Sequence, residues 1–357
     1  MYLYDPDYGN RPFPYMFGGI PNTLEAMDWQ VSYLNTAAAN PESFQRDIQA
    51  AKPDLLLGFV QHRTQVMKIA SFLKEYHPAP AVNWYQEEPN SLFDRAGENV
   101  IEASASFDLW FGIDNKMVPF WKTKAFFLPP AFDQQVFQDP RIERVYDVSY
   151  IGQLGPSYLT KMYWPYMNEL ARYGKKALMC IERPMGLPLL PRPLERFIRS
   201  PKRRRFLQRM PFWKCTWINP ADEHQRAHCL NQSRIHFGMN RVLGKWEQMV
   251  RQNLPDYPLD KTGLFYQLKS RPFQAAGAGA MVINEYCPEL EELFDVGKEI
   301  VTFEFGHPEE VREKIKWYLE HDQEREKVAR AGYERAHRDH TYIARLNYIM
   351  DCIRRVL

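Results

Sequence analysis

The chain lacks most of the features that would place it at a glance. Its five cysteines (Cys180, Cys215, Cys229, Cys287, Cys352) are scattered, odd in number and without a C-x-x-C pair. That excludes a disulfide framework and a cysteine zinc site, and it fits a reducing compartment. No run of eighteen apolar residues occurs, so no membrane span is expected. Met1 is followed by YLYDPDYGN, not by a charged segment and an apolar core, so no signal peptide is expected and the chain reads as cytoplasmic. A net charge of +2 removes global basicity as a sign of nucleic-acid binding. Carboxylates and histidines are not clustered closely enough to imply a metal, so none is expected.

What is present is an ordinary soluble composition, with 45% apolar and 25% charged residues. The 357 residues exceed what one core normally organises, which makes two domains the default. Aromatics are frequent at 14%, with 9 Trp and 20 Tyr. They suit a large α/β core first, and a cleft that stacks sugars or bases second.

Short apolar runs alternate with longer amphipathic ones. In the first half the predicted strands are 29–34, 55–60, 81–85, 109–113 and 125–128, and the predicted helices are 23–27, 41–51, 65–76 and 99–106. Near-continuous apolar strands alternating with helices imply a parallel sheet covered on both faces. The second half repeats the scheme with strands at 148–151, 177–181, 235–239, 281–283 and 300–303. Pro308 opens a helix with Glu309 and Glu310 in its first turn, and a further helix spans 323–338. The last helix carries Tyr342, Leu346, Ile349, Ile353 and Val356 along one face. The segment 133–146 changes from apolar to polar with a proline. The expectation is therefore two doubly wound (Rossmann-like) α/β domains facing across a cleft: 1–140, with the last helix 341–357 packed back on it, and 141–340. Such sheets bind ligands outside the carboxyl ends of their strands.

Two segments stand out. Lys269 to Asp295, KSRPFQAAGAGAMVINEYCPELEELFD, opens with basic residues, passes through a small-residue helix end and enters an apolar strand. Basic side chains at a helix start suit a phosphate, although an ordinary helix–strand joint has the same pattern. The second segment, 183–214, is rich in proline and holds the run Lys202, Arg203, Arg204, Arg205 among aromatics. It reads as a solvated insertion, as a lid or acceptor-docking element, or as a peripheral contact with lipid or nucleic acid.

Several stretches together resemble the CgeB-like (spore-maturation) branch of the group 1 glycosyltransferases, enzymes of the GT-B fold. They are NWYQEEP (83–89), FDLWFGIDNKMVPFWK (107–122), FLPPAFDQQVF (127–137), DVSYIGQLGPSY (147–158), KSRPFQAAGAGAMVINEYCPELEELF and GYERAHRDHTYIARLNYIM (332–350). The resemblance runs from about residue 53 to the end. It implies a nucleotide-sugar donor against the second domain, an acceptor held by the first, and a final helix crossing back over the first. Two departures are visible. Many retaining members carry two glutamates eight positions apart, and the matching positions here are Tyr266 and Gln274. Gln274 can still hydrogen-bond a ribose, without charge. The first strand is almost absent before the Gly18-Gly19 turn.

Glycosyl transfer requires that the leaving diphosphate be stabilised, the acceptor hydroxyl deprotonated and the sugar oriented. For the diphosphate the candidates are Lys269 and Arg271, with backbone N–H groups of the Gly152–Gly155 loop. In this fold side chains and a helix end neutralise the diphosphate, so no metal or other cofactor is implied beyond the nucleotide-sugar co-substrate. Glu87 and Glu88 follow a strand at its carboxyl end and are candidate bases, with Asp114 in an analogous place. A pair that caps the next helix or meets Arg95 is the other reading of the glutamates. His62 follows the strand 55–60 and could touch phosphate or acceptor. Glu285 and Glu289 follow the strand 281–283, where they suit sugar or ribose hydroxyls, Glu285 more than Glu289, which reads first as a helix start.

The function expected is metal-independent transfer of a sugar from a nucleotide diphosphate to an acceptor hydroxyl on a polysaccharide, protein, small molecule or nucleic acid. A nucleotide-sugar epimerase and a sugar- or nucleotide-binding surface component without catalysis are the alternatives. The run 202–205 adds a possible peripheral contact.

Overall fold

The computed structural model describes residues 1–4, 19–86, 99–152, 163–181, 214–218, 220, 222–241, 252–258 and 266–357. They form two compact units. The first comprises residues 1–131, 241–268 and 342–357, and the second 132–240 and 269–341. The expected break at 140 thus lies nine residues beyond the observed one, and 241–268 group with the first unit although the sequence reading kept them in the second domain. The burial of Leu254, Tyr257, Tyr266 and Leu268 accounts for that grouping, Leu254 and Tyr257 being part of a first-unit core.

The first unit is built on six parallel strands: β1 (Tyr2–Tyr4), β2 (Tyr33–Asn35), β3 (Leu56–Phe59), β4 (Ala81–Tyr85), β5 (Leu109–Gly112) and β6 (Lys124–Phe127), in the order β2-β1-β3-β4-β5-β6. Successive residues face opposite sides of a pleated strand, so apolar runs bury both. Leu56, Ala81, Tyr85 and Trp110 point to a core shared with helices α2 (Pro41–Ala51), α3 (Arg63–Glu75) and α4 (Val100–Ala103). Leu57, Val82, Trp84 and Phe111 point to the other face, covered by α1 (Gly19–Ala26) and by the last helix (Tyr342–Val356), whose Leu346, Ile349 and Met350 fill it.

The strand expected at 29–34 is displaced. Asp28 adopts a positive φ of 63° and ends α1, with Trp29 N–H bonded to Leu24 C=O, so the chain reaches the sheet only at Tyr33. The first strand, short as the sequence suggests, lies inside the sheet, paired on both sides.

The second unit has β7 (Tyr146–Gly152), β8 (Ala177–Ile181), β9 (Thr216–Ile218), β10 (Ser233–Gly238), β11 (Met281–Glu285) and β12 (Val301–Phe303), all parallel in the order β12-β11-β10-β7-β8-β9. Renumbered within the unit this is 3-2-1-4-5-6, the dinucleotide-binding order, whose switch point lies between β7 and β10. One face packs on α5 (Trp164–Ala171) and α9 (Pro308–Glu320) through Phe237, Phe303, Tyr166 and Ile315. The sheet also meets α6 (Glu223–Asn231), α7 (Arg271–Gly277) and α10 (Asp322–Asp339), whose Val328 and Ala329 join the same core, while α8 (Glu289–Leu293) follows β11 and α11 is the last helix, Tyr342–Val356. None of these helices is long and apolar enough to cross a membrane.

Helix α10 approaches its neighbours closely at Gly332. A Cβ there would stand 2.4 Å from the Glu299 carbonyl oxygen. Helix propensity alone favours Ala over Gly by roughly 0.5–1 kcal/mol, whereas overpacking against backbone costs about 1–3 kcal/mol. Gly332→Ala is therefore expected to lower the midpoint of chemical denaturation. A rise in that midpoint would show that α10 does not pack as described.

Candidate functional site

The second unit collects polar side chains at the carboxyl ends of β7, β10 and β11. Gly152 closes β7, where a Cβ would come within 2.5 Å of the Tyr150 hydroxyl. On β10, fully buried His236 faces Ser149 of β7 in register, with Nδ1 3.3 Å from Ser149 Oγ. Burial, reinforced by the positive charge of Arg271, pushes its pKa down to about 3, so the imidazole is neutral.

Beyond His236, Gly238 leaves room for the Asn284 side chain of β11, because a Cβ would meet Asn284 Oδ1 at 2.0 Å. Asn240 then ties the two strand ends together. Its backbone N–H donates to Glu285 Oε2 at 3.0 Å and its side-chain amide donates to the Glu285 carbonyl at 3.0 Å. Asn284 Nδ2 donates to the same carbonyl at 2.8 Å. Glu285, fully buried, is thus anchored by the neighbouring strand's end.

Helix α7 lies over these strands. Arg271 is its first residue and half-buried, Lys269 precedes it, and Gln274 is buried one turn on. Seven residues make only a modest dipole, so the positive charge at this end comes mainly from the side chains. Glu289, at the start of α8, is 4% exposed, which is unusual for a solvated helix-start charge. Four buried atoms in this group have no hydrogen-bond partner among the described residues: His236 Nε2, Asn240 Oδ1, Asn284 Oδ1 and Gln274 Oε1. Each such atom costs about 1–3 kcal/mol unless a ligand or water meets it.

The first unit has a comparable edge. Gly58 admits Asn83 across β3 and β4, as Gly238 admits Asn284. Asn83 accepts from Val60 N–H at 3.0 Å and donates to Val60 C=O at 3.3 Å. Gln61 donates to Trp84 C=O at 2.6 Å and accepts from Gln86 N–H at 2.5 Å, while Gln267 donates to Gln86 C=O at 2.8 Å. Both glutamines are buried, and together they hold the peptide that leads into Glu87 and Glu88.

Asp114 makes structural contacts within the first unit. Its Oδ1 caps the short helix 115–120 through Lys116 N–H at 2.9 Å and pairs with Lys116 Nζ at 3.2 Å, and Oδ2 accepts from Tyr257 Oη. Lys116 in turn sits 3.5 Å from the Tyr266 ring centroid. Both carboxylate oxygens are therefore engaged in holding this segment together. Tyr266, which stands where many relatives of the resembled family have a glutamate, is here a buried cation–π partner.

Lys269, Arg271, Gln274, Glu285, Glu289 and Gly152 all belong to the second unit, His62 and Gly19 to the first. His62 is exposed at the start of α3, and the Gly19 carbonyl accepts from Thr23 Oγ1 at 2.5 Å. Glu87, Glu88, Gly155, Gly18 and the run 202–205 lie outside the described residues. Sequence reasoning missed His236, Asn83, Asn284, Asn240, Gln61 and Gln267. A polar residue inside an otherwise apolar strand, as in VNWY and VINEY, was the available signal. Among the described residues no group of three or more His, Cys, Asp or Glu side chains is arranged to hold a metal ion.

A family described as glycosyl transferase-like matches residues 192–351. No curated protein matches the chain in sequence. Among solved structures, HepE from Anabaena in complex with UDP and glucose superposes with a TM-score of 0.60 at 11% identity, covering 93% of this chain and 88% of its own. Sucrose-phosphate synthase from Thermosynechococcus elongatus gives 0.59 at 11%, over 88% and 76%. A glycosyltransferase from Rickettsia africae gives 0.55 at 10%, over 94% and 87%. At such identities the likeness shows the fold, which is GT-B. The family match covers 160 of the 357 residues.

The buried histidine gives a pH signature. Folded His236 stays neutral down to about pH 3, whereas the unfolded chain takes up the proton as pH falls through its ordinary 6.5. Stability from this group is present above pH 6.5 and lost as pH falls towards 3, at up to about 1.4 kcal/mol per pH unit. His236→Asn is expected to flatten the dependence of unfolding free energy on pH across that window. An unchanged slope would mean that the ring is protonated in the folded protein.

Proposed function

We propose that this chain is a glycosyltransferase of the CgeB-like branch, taking its sugar from a nucleotide diphosphate bound at the carboxyl edge of the second unit. The supporting observation is the cluster at the ends of β10 and β11 and on α7: four buried polar atoms without hydrogen-bond partners among the described residues, beside the cations at the start of α7. Arg271 and Lys269 stabilise the negative charge that develops as the diphosphate leaves. Gln274 Oε1 accepts from a ribose hydroxyl, and the Asn240 and Asn284 amide oxygens accept from base or sugar hydroxyl groups. Neutral His236 leaves the positive charge to Arg271 and adds an uncharged hydrogen-bonding nitrogen. These side chains do the work a metal does in other transferases. The acceptor hydroxyl loses its proton to Glu87 or Glu88, beside the peptide that Gln61 and Gln267 hold. Asp114 serves as a structural anchor.

The test is binding of UDP and GDP against uridine and guanosine by calorimetry. Arg271→Ala is expected to weaken the diphosphate that binds by about thirtyfold, the worth of one charge-assisted contact, and to leave its nucleoside nearly unaffected. Equal losses for both would remove the diphosphate role, and no nucleotide binding at all would remove the proposal. On the catalytic side, Glu87→Gln or Glu88→Gln should lower kcat about a hundredfold or more with donor affinity kept. Conversion of the donor sugar to an epimer without acceptor would favour the epimerase.

A further inference from the structure

At the amino ends of β1 and β3, the opposite end of the first sheet from the edge described above, lies a cavity of about 530 Å³. That is within the size range of small-molecule sites. Its floor is apolar, formed by Leu24, Leu57 and Met350. Its mouth is polar, with Asp28 and Gln30 from the loop after α1 and Asp54 from the loop after α2. Two features are not explained by solvation. Trp29 lines the opening and stays 38% exposed. Tyr2, 1% exposed, lines the interior, and its hydroxyl has no hydrogen-bond partner among the described residues. A buried phenol hydroxyl normally finds a partner, and an exposed indole beside a cavity is a ready stacking face. Burial raises the Tyr2 pKa, so the group remains a donor.

These groups select among ligand chemistries. Two aspartates against Lys52 and the Met1 ammonium, which donates to the Leu55 carbonyl, leave the cavity without excess positive charge, which gives phosphates and carboxylates no net attraction. An acyl chain would leave the carboxylates and the phenol unused. A pyranose ring presents a C–H face for an indole or an apolar floor, and hydroxyls for carboxylate, amide and phenol around its edge. We propose that this cavity is a binding subsite for a neutral saccharide, separate from the transfer chemistry and independent of the donor assignment. It would hold a glycan chain by a residue distant from the one being modified.

The experiment is saturation-transfer-difference NMR on the full chain with saturating UDP and GDP, so that nucleotide-dependent sugar binding is not read by mistake. The probes are maltotriose, cellotriose and methyl α- and β-glucosides, with octanoate and inorganic phosphate as contrasts. At least one neutral saccharide is expected to give transfer. Tyr2→Phe and Trp29→Ala, each with an unchanged melting profile, are expected to weaken it about fivefold or more. Tyr2→Phe removes a single hydroxyl that makes no bond within the described protein, so it keeps the test readable if the tryptophan variant misfolds. No transfer to any saccharide, transfer unchanged in both variants, or response to octanoate or phosphate alone would overturn the assignment.

Discussion

The constraint on which the second unit depends is the burial of a carboxylate at the end of a parallel strand. Glu285 is fully buried, and charge or even polarity in such a place is tolerated only with hydrogen bonds in place. The partner comes from the neighbouring strand: Asn240, two residues beyond Gly238, offers a backbone N–H to the side chain and an amide to the carbonyl. Once β10 and β11 are tied in this way, Asn240 Oδ1, Asn284 Oδ1 and Gln274 Oε1 are left without hydrogen-bond partners among the described residues. A structure that buries donors and acceptors and leaves them open stays stable only because its core is large elsewhere. The stack of Phe237, Phe303 and Tyr166 on the other face of the same sheet is that core.

The two sheets solve the same problem with the same pair of residues. In each, the strand after the switch point carries a glycine and the next strand an asparagine, aligned in register: Gly58 with Asn83, Gly238 with Asn284. The glycine is required by volume, since any Cβ would meet the amide oxygen. The asparagine then replaces ladder bonds where the strands diverge, as Asn83 does for both backbone groups of Val60. Divergence of strands at this edge is what opens a crevice for ligands in doubly wound sheets.

Much of the fold was legible because it rests on burial of apolar runs. The bounds of α2 and β4 follow directly from proline at a helix start and from an uninterrupted apolar pentapeptide. Among the elements that went unseen, two have a weak pattern. Strand β9 has three residues, and α6, EHQRAHCLN, buries Arg226 and Asn231 along with its few apolar positions. The second unit's site was partly legible, since Lys269, Arg271, Gln274 and Glu285 were drawn from one segment with strand–helix punctuation. His236 and the two asparagines were not, because their polar character inside apolar strands has meaning only once register is known. Asp114 shows the converse: a carboxylate after a strand looks like a base in sequence, and the contacts with Lys116 and Tyr257 turn it into a cap and an anchor.

The proposed donor site predicts that a nucleotide diphosphate binds the carboxyl edge of the second unit. Amide hydrogen exchange of the full chain, with and without a saturating nucleotide diphosphate, tests it without reference to turnover. Slowed exchange is expected in 236–241, 271–277 and 284–289, where the open polar atoms and the basic helix start converge. Slowing confined to the first unit, or to the amino ends of the second unit's strands, would contradict it.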